Sequence, residues 1–185
     1  PRNLNTVYTV DGLGNRRQQN SPDTGLSTST ADAAGNEISH TDAKGQITSL
    51  AYDALNRPTV ITTQDGKQTR YHWDQGANGM GRLTQIEDYQ SNQLVGSVQT
   101  TYDPQGRVVS QTRRVGSAGV AHTTSYLWSA GRLAGITTPS GRQLGYSHDS
   151  TGRISEVRLI DTAPGGDGQT RVIASAISYH PFGGI

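Results

Sequence analysis

A unit of 21 residues repeats along this chain and restricts its fold more than any other feature of the sequence. Most copies contain an aspartate that is followed three residues later by glycine or asparagine. The 21-residue spacing separates Asp11, Asp32, Asp53 and Asp74, and also Trp128 and Asp149. A fixed period of this length is typical of a repeat protein, in which each unit buries its apolar side chains against its neighbours.

The aspartate and the glycine of each copy predict a tight turn. An aspartate carboxylate can accept hydrogen bonds from nearby backbone N–H groups, and glycine or asparagine tolerates a positive φ. One copy, Asp74 to Arg82, carries a four-residue insertion, and another has Trp128 in the aspartate position. The predicted structural residues of the turns are Asp11, Asp32, Asp42, Asp53, Asp74, Asp103, Asp149, Gly106, Gly131 and Gly152.

Strand-like segments flank these turns. Large apolar or aromatic residues stand one and three positions before the aspartate, as at Tyr52 and Leu50, and this alternation indicates a half-buried strand. After the turn, an arginine precedes two apolar residues spaced by three, as at Ile154 and Val157. Because the surroundings are rich in threonine, we interpret this spacing as a strand whose pleat is shifted by a bulge.

A second turn lies midway between consecutive first turns. Gln64-Asp65-Gly66-Lys67 carries an Asp-Gly pair between two strand-like segments, which is a strong hairpin signal. One period therefore holds one antiparallel hairpin, and the predicted fold is all-β, with about 21 residues per hairpin. Longer surface loops are expected at 90–96, 116–121 and 163–169.

Composition excludes several classes of protein. The chain has no cysteine, which excludes disulfides, thiolate metal sites and cysteine nucleophiles. A formal net charge of +1 argues against a nucleic-acid surface, and no apolar segment is long enough to span a membrane. The start at Pro1 reads as a processed or excised end, without a visible signal peptide.

Several segments resemble the Rhs/YD-repeat family. The pattern of Tyr52 to Arg57 and Tyr102 to Arg107 is similar to the Tyr-Asp repeats of that family. Gly131 to Gly141 is similar to its GRL..IT.P.G unit, and Tyr179 to Gly183 to its Y.PFG segment.

This resemblance implies an architecture and a function. In bacterial Rhs proteins and in the B and C components of insecticidal toxin complexes, YD hairpins wind into a spiral sheet that closes around a C-terminal toxin; teneurins have a similar shell. Residues 1–185 would then be a single repeat region and a fragment of a larger shell. Its partners would be other YD repeats of the same polypeptide or assembly and the enclosed toxin. Such a protein would be secreted or displayed at the cell surface by a dedicated export system.

The residues that could carry chemistry have simpler structural explanations. A calcium-binding ladder of aspartates would need acidic loops that the sequence lacks, so turn capping is favoured. Asp103-Pro104-Gln105-Gly106 is similar to the sequence at which Rhs shells release their cargo, but it occupies an ordinary repeat position. The five histidines form no metal-binding pattern, and no nucleophile motif occurs. We therefore predict no enzymatic activity, no metal and no cofactor.

Recurrent aromatic residues leave two functions open. They could pack between strands, or they could stack against sugars if the chain is a surface adhesin that binds glycans. Their recurrence at fixed repeat positions favours packing. The residues concerned are Tyr52, Tyr71, Trp73, Tyr102, Trp128 and Tyr146.

Overall fold

A computed structural model describes residues 5–180. These residues form one antiparallel sheet in which every strand is hydrogen-bonded to the next strand of the chain. No helix occurs among them. The strands are β1 (Val7–Val10), β2 (Arg16–Ser21), β3 (Gly25–Ala31), β4 (Glu37–Thr41), β5 (Ile47–Tyr52), β6 (Pro58–Thr63), β7 (Gln68–Trp73), β8 (Leu83–Gln90), β9 (Gln93–Tyr102), β10 (Val108–Val115), β11 (His122–Ser129), β12 (Arg132–Thr137), β13 (Gln143–His148), β14 (Ile154–Ile160) and β15 (Thr170–Ala174). The all-β hairpin-repeat prediction is confirmed.

Two compact units divide the sheet. The first contains β1 to β6, most of β7 and β8, and the start of β9. The second contains the segment that joins β7 to β8, the rest of β9, most of β10, and β11 to β15.

The predicted aspartate turns are three-residue hairpin loops. At Asp103, the backbone N–H donates to the carbonyl of Arg107 at 2.9 Å, and the N–H of Gly106 donates back to the carbonyl of Asp103 at 2.9 Å. Gly106 has φ +81°, and Asn56 adopts φ +60° at the corresponding position. This loop needs one left-handed residue, which explains why only glycine or asparagine stands there. We name the turns that begin at Asp11, Asp32, Asp53, Asp103 and Asp149 the YD turns.

The structure corrects the repeat assignment of Asp42. Its turn has the same hydrogen bonds, but it joins β4 to β5, whereas the YD turns at Asp32 and Asp53 join β3 to β4 and β5 to β6. Since successive turns of an antiparallel meander lie at opposite strand ends, Asp42 corresponds to Thr63 and not to Asp32.

A bulge follows the YD turns at Asp11, Asp32, Asp53 and Asp149 and the turn after Trp128, as the spacing of apolar residues predicted. In β14, Glu156 pairs with Ser147 and Ile154 pairs with His148, which leaves Ser155 as an extra residue. The extra residue restores Ile154 and Val157 to one face despite their spacing of three. Equivalent extra residues are Arg17, Ile38, Thr59 and Ala134.

Trp128 lies one position away from its predicted place in the repeat. It pairs with Leu133, just as Tyr52 pairs with Pro58, so Trp128 occupies the tyrosine position and not the aspartate position. The turn that follows is a two-residue loop in which Ala130 and Gly131 both have positive φ. This turn is one residue shorter than a YD turn and has no aspartate.

The long loop expected at 90–96 is much shorter in the structure. Only Ser91 and Asn92, with φ +50° and +61°, separate β8 from β9. The other two expected loops lie between β10 and β11 and between β14 and β15.

The sheet has no buried apolar core among residues 5–180. No hydrophobic residue of this range is buried, and the buried polar residues are Ser21, Ser29 and Thr84. In the second unit, a half-buried apolar row runs through β11 to β14, formed by Tyr126, Ile136, Leu144 and Leu159, which pair in that order. Lateral packing along such rows, and not enclosure by a second layer, therefore covers the apolar side chains of these strands.

Candidate functional site

The contacts between consecutive repeats are the most regular side-chain feature of the molecule. An aromatic residue at or near the end of an odd-numbered strand, or in one case five residues beyond it, donates a hydrogen bond to a main-chain carbonyl of the preceding repeat. The acceptor is always the first residue of the preceding even-numbered strand. The pairs are Tyr52 to Glu37 at 3.0 Å, Tyr102 to Leu83 at 2.7 Å, Trp128 to Val108 at 2.8 Å and Tyr179 to Ile154 at 3.0 Å.

An arginine next to the acceptor lies over the same aromatic ring. The guanidinium carbon of Arg107 is 5.2 Å from the ring centre of Trp128, and that of Arg153 is 4.9 Å from the ring centre of Tyr179. Arg82 lies over Tyr102 at 5.6 Å. All three distances fall within the range of a cation–π interaction.

Two of these arginines bind the aspartate of their own turn, and Arg82 binds carbonyls of its own turn. Arg107 Nε donates to Asp103 Oδ2 at 2.7 Å, and Arg153 Nε donates to Asp149 Oδ2 at 3.2 Å. Each arginine therefore links the turn of one repeat to the aromatic residue of the next. We call this set of aspartate, arginine, aromatic residue and carbonyl the inter-repeat clamp.

Asparagine replaces arginine in the clamp of the first unit. Asn36 donates to Asp32 Oδ2 at 2.9 Å and to Asn56 Oδ1, in the next YD turn, at 2.8 Å. The shorter amide still connects two turns, although it supplies no cation to the ring of Tyr52.

The aspartates act within their turns. Oδ1 of Asp103 accepts from the backbone N–H groups of Gln105 and Arg107 at 3.0 and 2.9 Å. The same two-bond pattern occurs at Asp11, Asp32, Asp42, Asp53 and Asp149. In the longer turn, Asp74 accepts instead from the N–H of Gly81 at 2.6 Å.

These hydrogen bonds favour the ionised carboxylates. The hydroxyl of Thr151, followed by the N–H of Arg153, lowers the pKa of Asp149 well below its ordinary value. The side-chain amide of Asn36 lowers the pKa of Asp32, and the N–H of Arg57 lowers that of Asp53. Since the carboxylate oxygens are already used, they are poor candidates for a cation site. Within residues 5–180, no group of three acidic or histidine side chains could hold a metal ion.

Glycines beside the clamp leave room for the arginine. A Cβ atom on Gly106 would lie 2.1 Å from a guanidinium nitrogen of Arg82, and one on Gly152 would lie 2.7 Å from that of Arg132. Gly131, in the two-residue turn, has open space at its Cβ position. Gly106 and Gly152 are therefore required for two reasons, since they combine a positive φ with close approach of a neighbouring side chain.

The remaining predicted aromatic residues, Tyr71, Trp73 and Tyr146, are half-buried. Trp73 ends β7 in the position that Tyr52 and Tyr102 occupy in their strands. Tyr71 and Tyr146 lie in the middle of β7 and β13. Their partial burial at fixed positions of the strands supports packing more than sugar stacking.

One serine, one histidine and one glutamate meet in the first unit without forming a catalytic triad. Ser29 Oγ lies 3.2 Å from His40 Nδ1, and Glu37 Oε1 lies 3.9 Å from the same nitrogen. A triad needs the serine and the acid on different ring nitrogens. Ser29 is also buried.

The sequence pattern anticipated some members of the clamp and missed others. It singled out the aspartates, the glycines and most of the aromatic residues, but not Tyr179 or the role of the arginines. The available signal was the arginine that stands four residues after the aspartate, at positions 57, 107 and 153.

Comparison with known protein families assigns these repeats. The family model described as RHS Repeat matches residues 32–67 and 128–166. These two segments are RHS repeats. The family resemblance seen in the sequence is thus confirmed. The first matched segment contains the asparagine form of the clamp, in which Asn36 binds Asp32 and Tyr52 binds the carbonyl of Glu37.

Solved structures share the fold of this chain. TcdB2-TccC3-Cdc42 aligns with 97% of the chain at a TM-score of 0.78, and TcdB2-TccC3-TEV aligns with 98% at 0.76, each with 19% sequence identity. The chain spans about a tenth of the length of either structure, 10% in both cases. No curated protein sequence matches the chain. Among residues 5–180, no helix is long and apolar enough to cross a membrane.

Proposed function

We propose that this chain is a stretch of the wall of an RHS-repeat shell and that the wall encloses a protein toxin until delivery. The observation that carries the proposal is a sheet without a buried core whose repeats are joined in series by clamps. A single repeat of this kind cannot be stable alone, because it leaves uncovered the apolar surface that packs against its neighbours in the sheet.

The clamp gives the wall continuity. Since each arginine contacts the turn of its own repeat and the aromatic residue of the next, the chain can extend without a change of local geometry. A fold match that covers almost all of this chain, but only 10% of TcdB2-TccC3-Cdc42, supports a role as one part of a longer sheet. On this proposal, residues 1–185 are one repeat region, and the partners are further repeats and the cargo.

The RHS-repeat match and the resemblance to toxin-complex shells support the proposals of an enclosed cargo and of export. A wall held by hydrogen bonds and lateral packing would keep the cargo away from proteases without any catalytic step. The protein would act outside the producing cell, at the surface or after secretion.

A direct test uses the natural polypeptide that contains this chain. Its coding sequence should hold hundreds more residues of the same unit and end in an unrelated C-terminal domain. Limited proteolysis of the purified protein should then leave that domain intact, and mild denaturation should expose it. A coding sequence confined to these residues, or a C-terminal domain that is cleaved equally fast before and after denaturation, would contradict the proposal.

A further inference from the structure

One clamp of the first unit has alanine where the other clamps have an aromatic residue. In β5 the aromatic residue is Tyr52, the last residue of the strand, directly before the aspartate of the turn. Ala31 stands at the same position of β3. The pairing agrees with this equivalence, since Ala31 pairs with Glu37 across a bulge just as Tyr52 pairs with Pro58. The clamp between the first two YD turns therefore has no aromatic ring of its own.

An open cavity lies at this point of the sheet. Its volume is about 190 Å³, and its lining includes Ser29, Ala31 and Glu37. Ser29 stands two residues before Ala31, where β5 has Leu50. A small side chain thus replaces a large one at two positions, and the cavity corresponds to the space of a clamp ring. Since a cavity of about 150 Å³ can hold benzene, a single six-membered ring fits this volume. We name this cavity the ring socket.

Polar groups of the clamp are present around the ring socket. Asn15 stands at the asparagine position of the clamp and donates to Asp11 Oδ2 at 3.1 Å, as its counterpart does in the next YD turn. Arg16 lines the socket and is the first residue of β2. In the other clamps, the main-chain carbonyl at this position accepts the hydrogen bond of the aromatic residue. A ring-sized space and an acceptor are therefore arranged as in the clamp of Tyr52.

The charged side chains beside the ring socket favour a neutral ligand. Arg17 pairs with Asp11 Oδ2 at 2.7 Å. Arg16 Nη1 donates to Gln19 Oε1 at 2.8 Å. Because these groups already have partners within the chain, a charged ligand would have to compete for them. The phenol of tyrosine is a neutral ring with a hydroxyl donor, and it can therefore use the carbonyl acceptor without such competition.

We propose that the ring socket binds a tyrosine side chain of another polypeptide segment, whose hydroxyl donates to the main-chain carbonyl of Arg16. The incoming ring would lie beside Ala31 and Ser29 and would complete the clamp from outside the chain. This inference does not rest on the wall function. It follows from alanine at a position where four other clamps carry tyrosine or tryptophan.

Nuclear magnetic resonance of the isotopically labelled 185-residue chain tests the proposal. The probe is N-acetyl-tyrosine amide, and its control is N-acetyl-phenylalanine amide, which lacks the hydroxyl. The tyrosine probe should shift the backbone amide signals of Asn15, Ala31 and Gly35 in a saturable manner, with a dissociation constant on the order of 1 mM for a single side chain. The phenylalanine probe should bind about threefold more weakly or less, because it has no donor for the carbonyl.

A variant that fills the ring socket from within the chain provides a second test. Ala31→Tyr should abolish binding of the tyrosine probe and raise Tm by about 2–4 °C, because it adds a ring and a hydrogen bond like those of Tyr52. Ala51→Tyr is the matched control, since Ala51 is exposed and directly precedes the clamp tyrosine of β5. This control should leave binding unchanged. Circular dichroism should show that both variants keep the strand content of the wild type.

The titration of the wild type decides the question if Ala31→Tyr does not fold. Signals of Asn15, Ala31 and Gly35 that do not saturate, or equal affinities of the tyrosine and phenylalanine probes, would overturn the proposal. Binding that persists in a folded Ala31→Tyr variant would also overturn it. A titration with p-cresol tests the source of the ring, and tighter binding of p-cresol than of the tyrosine probe would contradict a ligand that belongs to a polypeptide.

Discussion

Replacement of Gly106 by alanine measures how strongly one repeat depends on the next. Gly14 is the matched control, because both glycines stand at the same position of a YD turn, with φ +81° and +86°. The surroundings of the two glycines differ. A Cβ on Gly14 would meet nothing within 4 Å, whereas a Cβ on Gly106 would overlap the guanidinium of Arg82 at 2.1 Å.

The cost common to both variants is the left-handed backbone, about 1–2 kcal/mol for alanine. A lower entropy of the unfolded chain offsets about 0.4–1 kcal/mol of this cost. We therefore expect Gly14→Ala to lower the free energy of unfolding by about 1 kcal/mol. Gly106→Ala must also displace Arg82 from the ring of Tyr102, and an exposed cation–π contact contributes about 0.5–1 kcal/mol.

Displacement of Arg82 also breaks hydrogen bonds. Its guanidinium donates to the carbonyls of Asn78 and Met80 at 2.9 and 3.1 Å, and each such bond contributes about 0.5–1.5 kcal/mol net. Because the side chain can relax in part, we expect an excess of about 2 kcal/mol over Gly14→Ala, which corresponds to a fall in Tm of about 4–8 °C for a chain of this size.

Urea unfolding, followed by circular dichroism and tryptophan fluorescence, measures both variants. In the Arg82→Ala background, Gly106→Ala should cost no more than Gly14→Ala, because the group that it displaces is gone. The reasoning is refuted if Gly106→Ala and Gly14→Ala have equal effects, or if the excess cost persists without Arg82.

Three further predictions concern the clamp and the turns. Tyr102→Phe should destabilise the chain by about 1 kcal/mol in urea unfolding, because it removes the donor to the Leu83 carbonyl. The control Tyr8→Phe, at an exposed residue, should have almost no effect. Equal effects of the two variants would contradict a role for the Tyr102 hydroxyl. Hydrogen bonds lower the pKa of Asp149, and those from Lys67 and Thr63 lower the pKa of Asp65 to about 2. These bonds stabilise the folded chain at pH values above about 4, the pKa of an aspartate in the unfolded chain. This stability should be lost as the pH falls from about 4 towards the pKa values of the folded chain. Asp149→Asn should make the urea midpoint less dependent on pH. An unchanged pH dependence in this variant would argue against a contribution of Asp149. Calcium should not raise Tm relative to EDTA, since the turn carboxylates already accept protein hydrogen bonds, and a clear rise would revive the calcium-ladder interpretation.

The local chemistry of the repeat could be predicted because each part of it depends on neighbouring residues. An aspartate three residues before a glycine specifies the hairpin loop without any tertiary contact. The spacing of Ile154 and Val157 required a bulge, because both residues could share one face only if an extra residue lay between them. The same reasoning predicted a hairpin at Asp65-Gly66.

Predictions that depended on counting residues were less accurate. From Trp128 to Arg132 the interval is the same as from aspartate to arginine elsewhere, so the sequence could not show that the turn had lost one residue. Asp42 has the local pattern of a YD turn, and only the strand order shows which end of the sheet it occupies. Ser91 and Asn92 suggested a long polar loop, but two left-handed residues suffice to reverse the chain.

The inter-repeat clamp could not be predicted because its acceptor is a main-chain carbonyl, which leaves no mark in the sequence. The sequence shows a recurrent tyrosine and a recurrent arginine, but their partnership depends on which strands become neighbours. Tyr179 illustrates the difficulty, since it follows β15 by five residues and still reaches the carbonyl of Ile154.

A sheet without a buried core must derive its stability from contacts along the sheet, and the composition of the strands agrees with this requirement. In the second unit, the row from Tyr126 to Leu159 supplies apolar contact between neighbouring strands, and Arg107 and Arg153 complete the clamps. In the first unit, β2 and β3 are mostly polar, and asparagine stands in the arginine position of the first two YD turns. Apolar rows and arginine clamps therefore occur together, as expected if each repeat is stabilised mainly by the next one and not by an interior of its own.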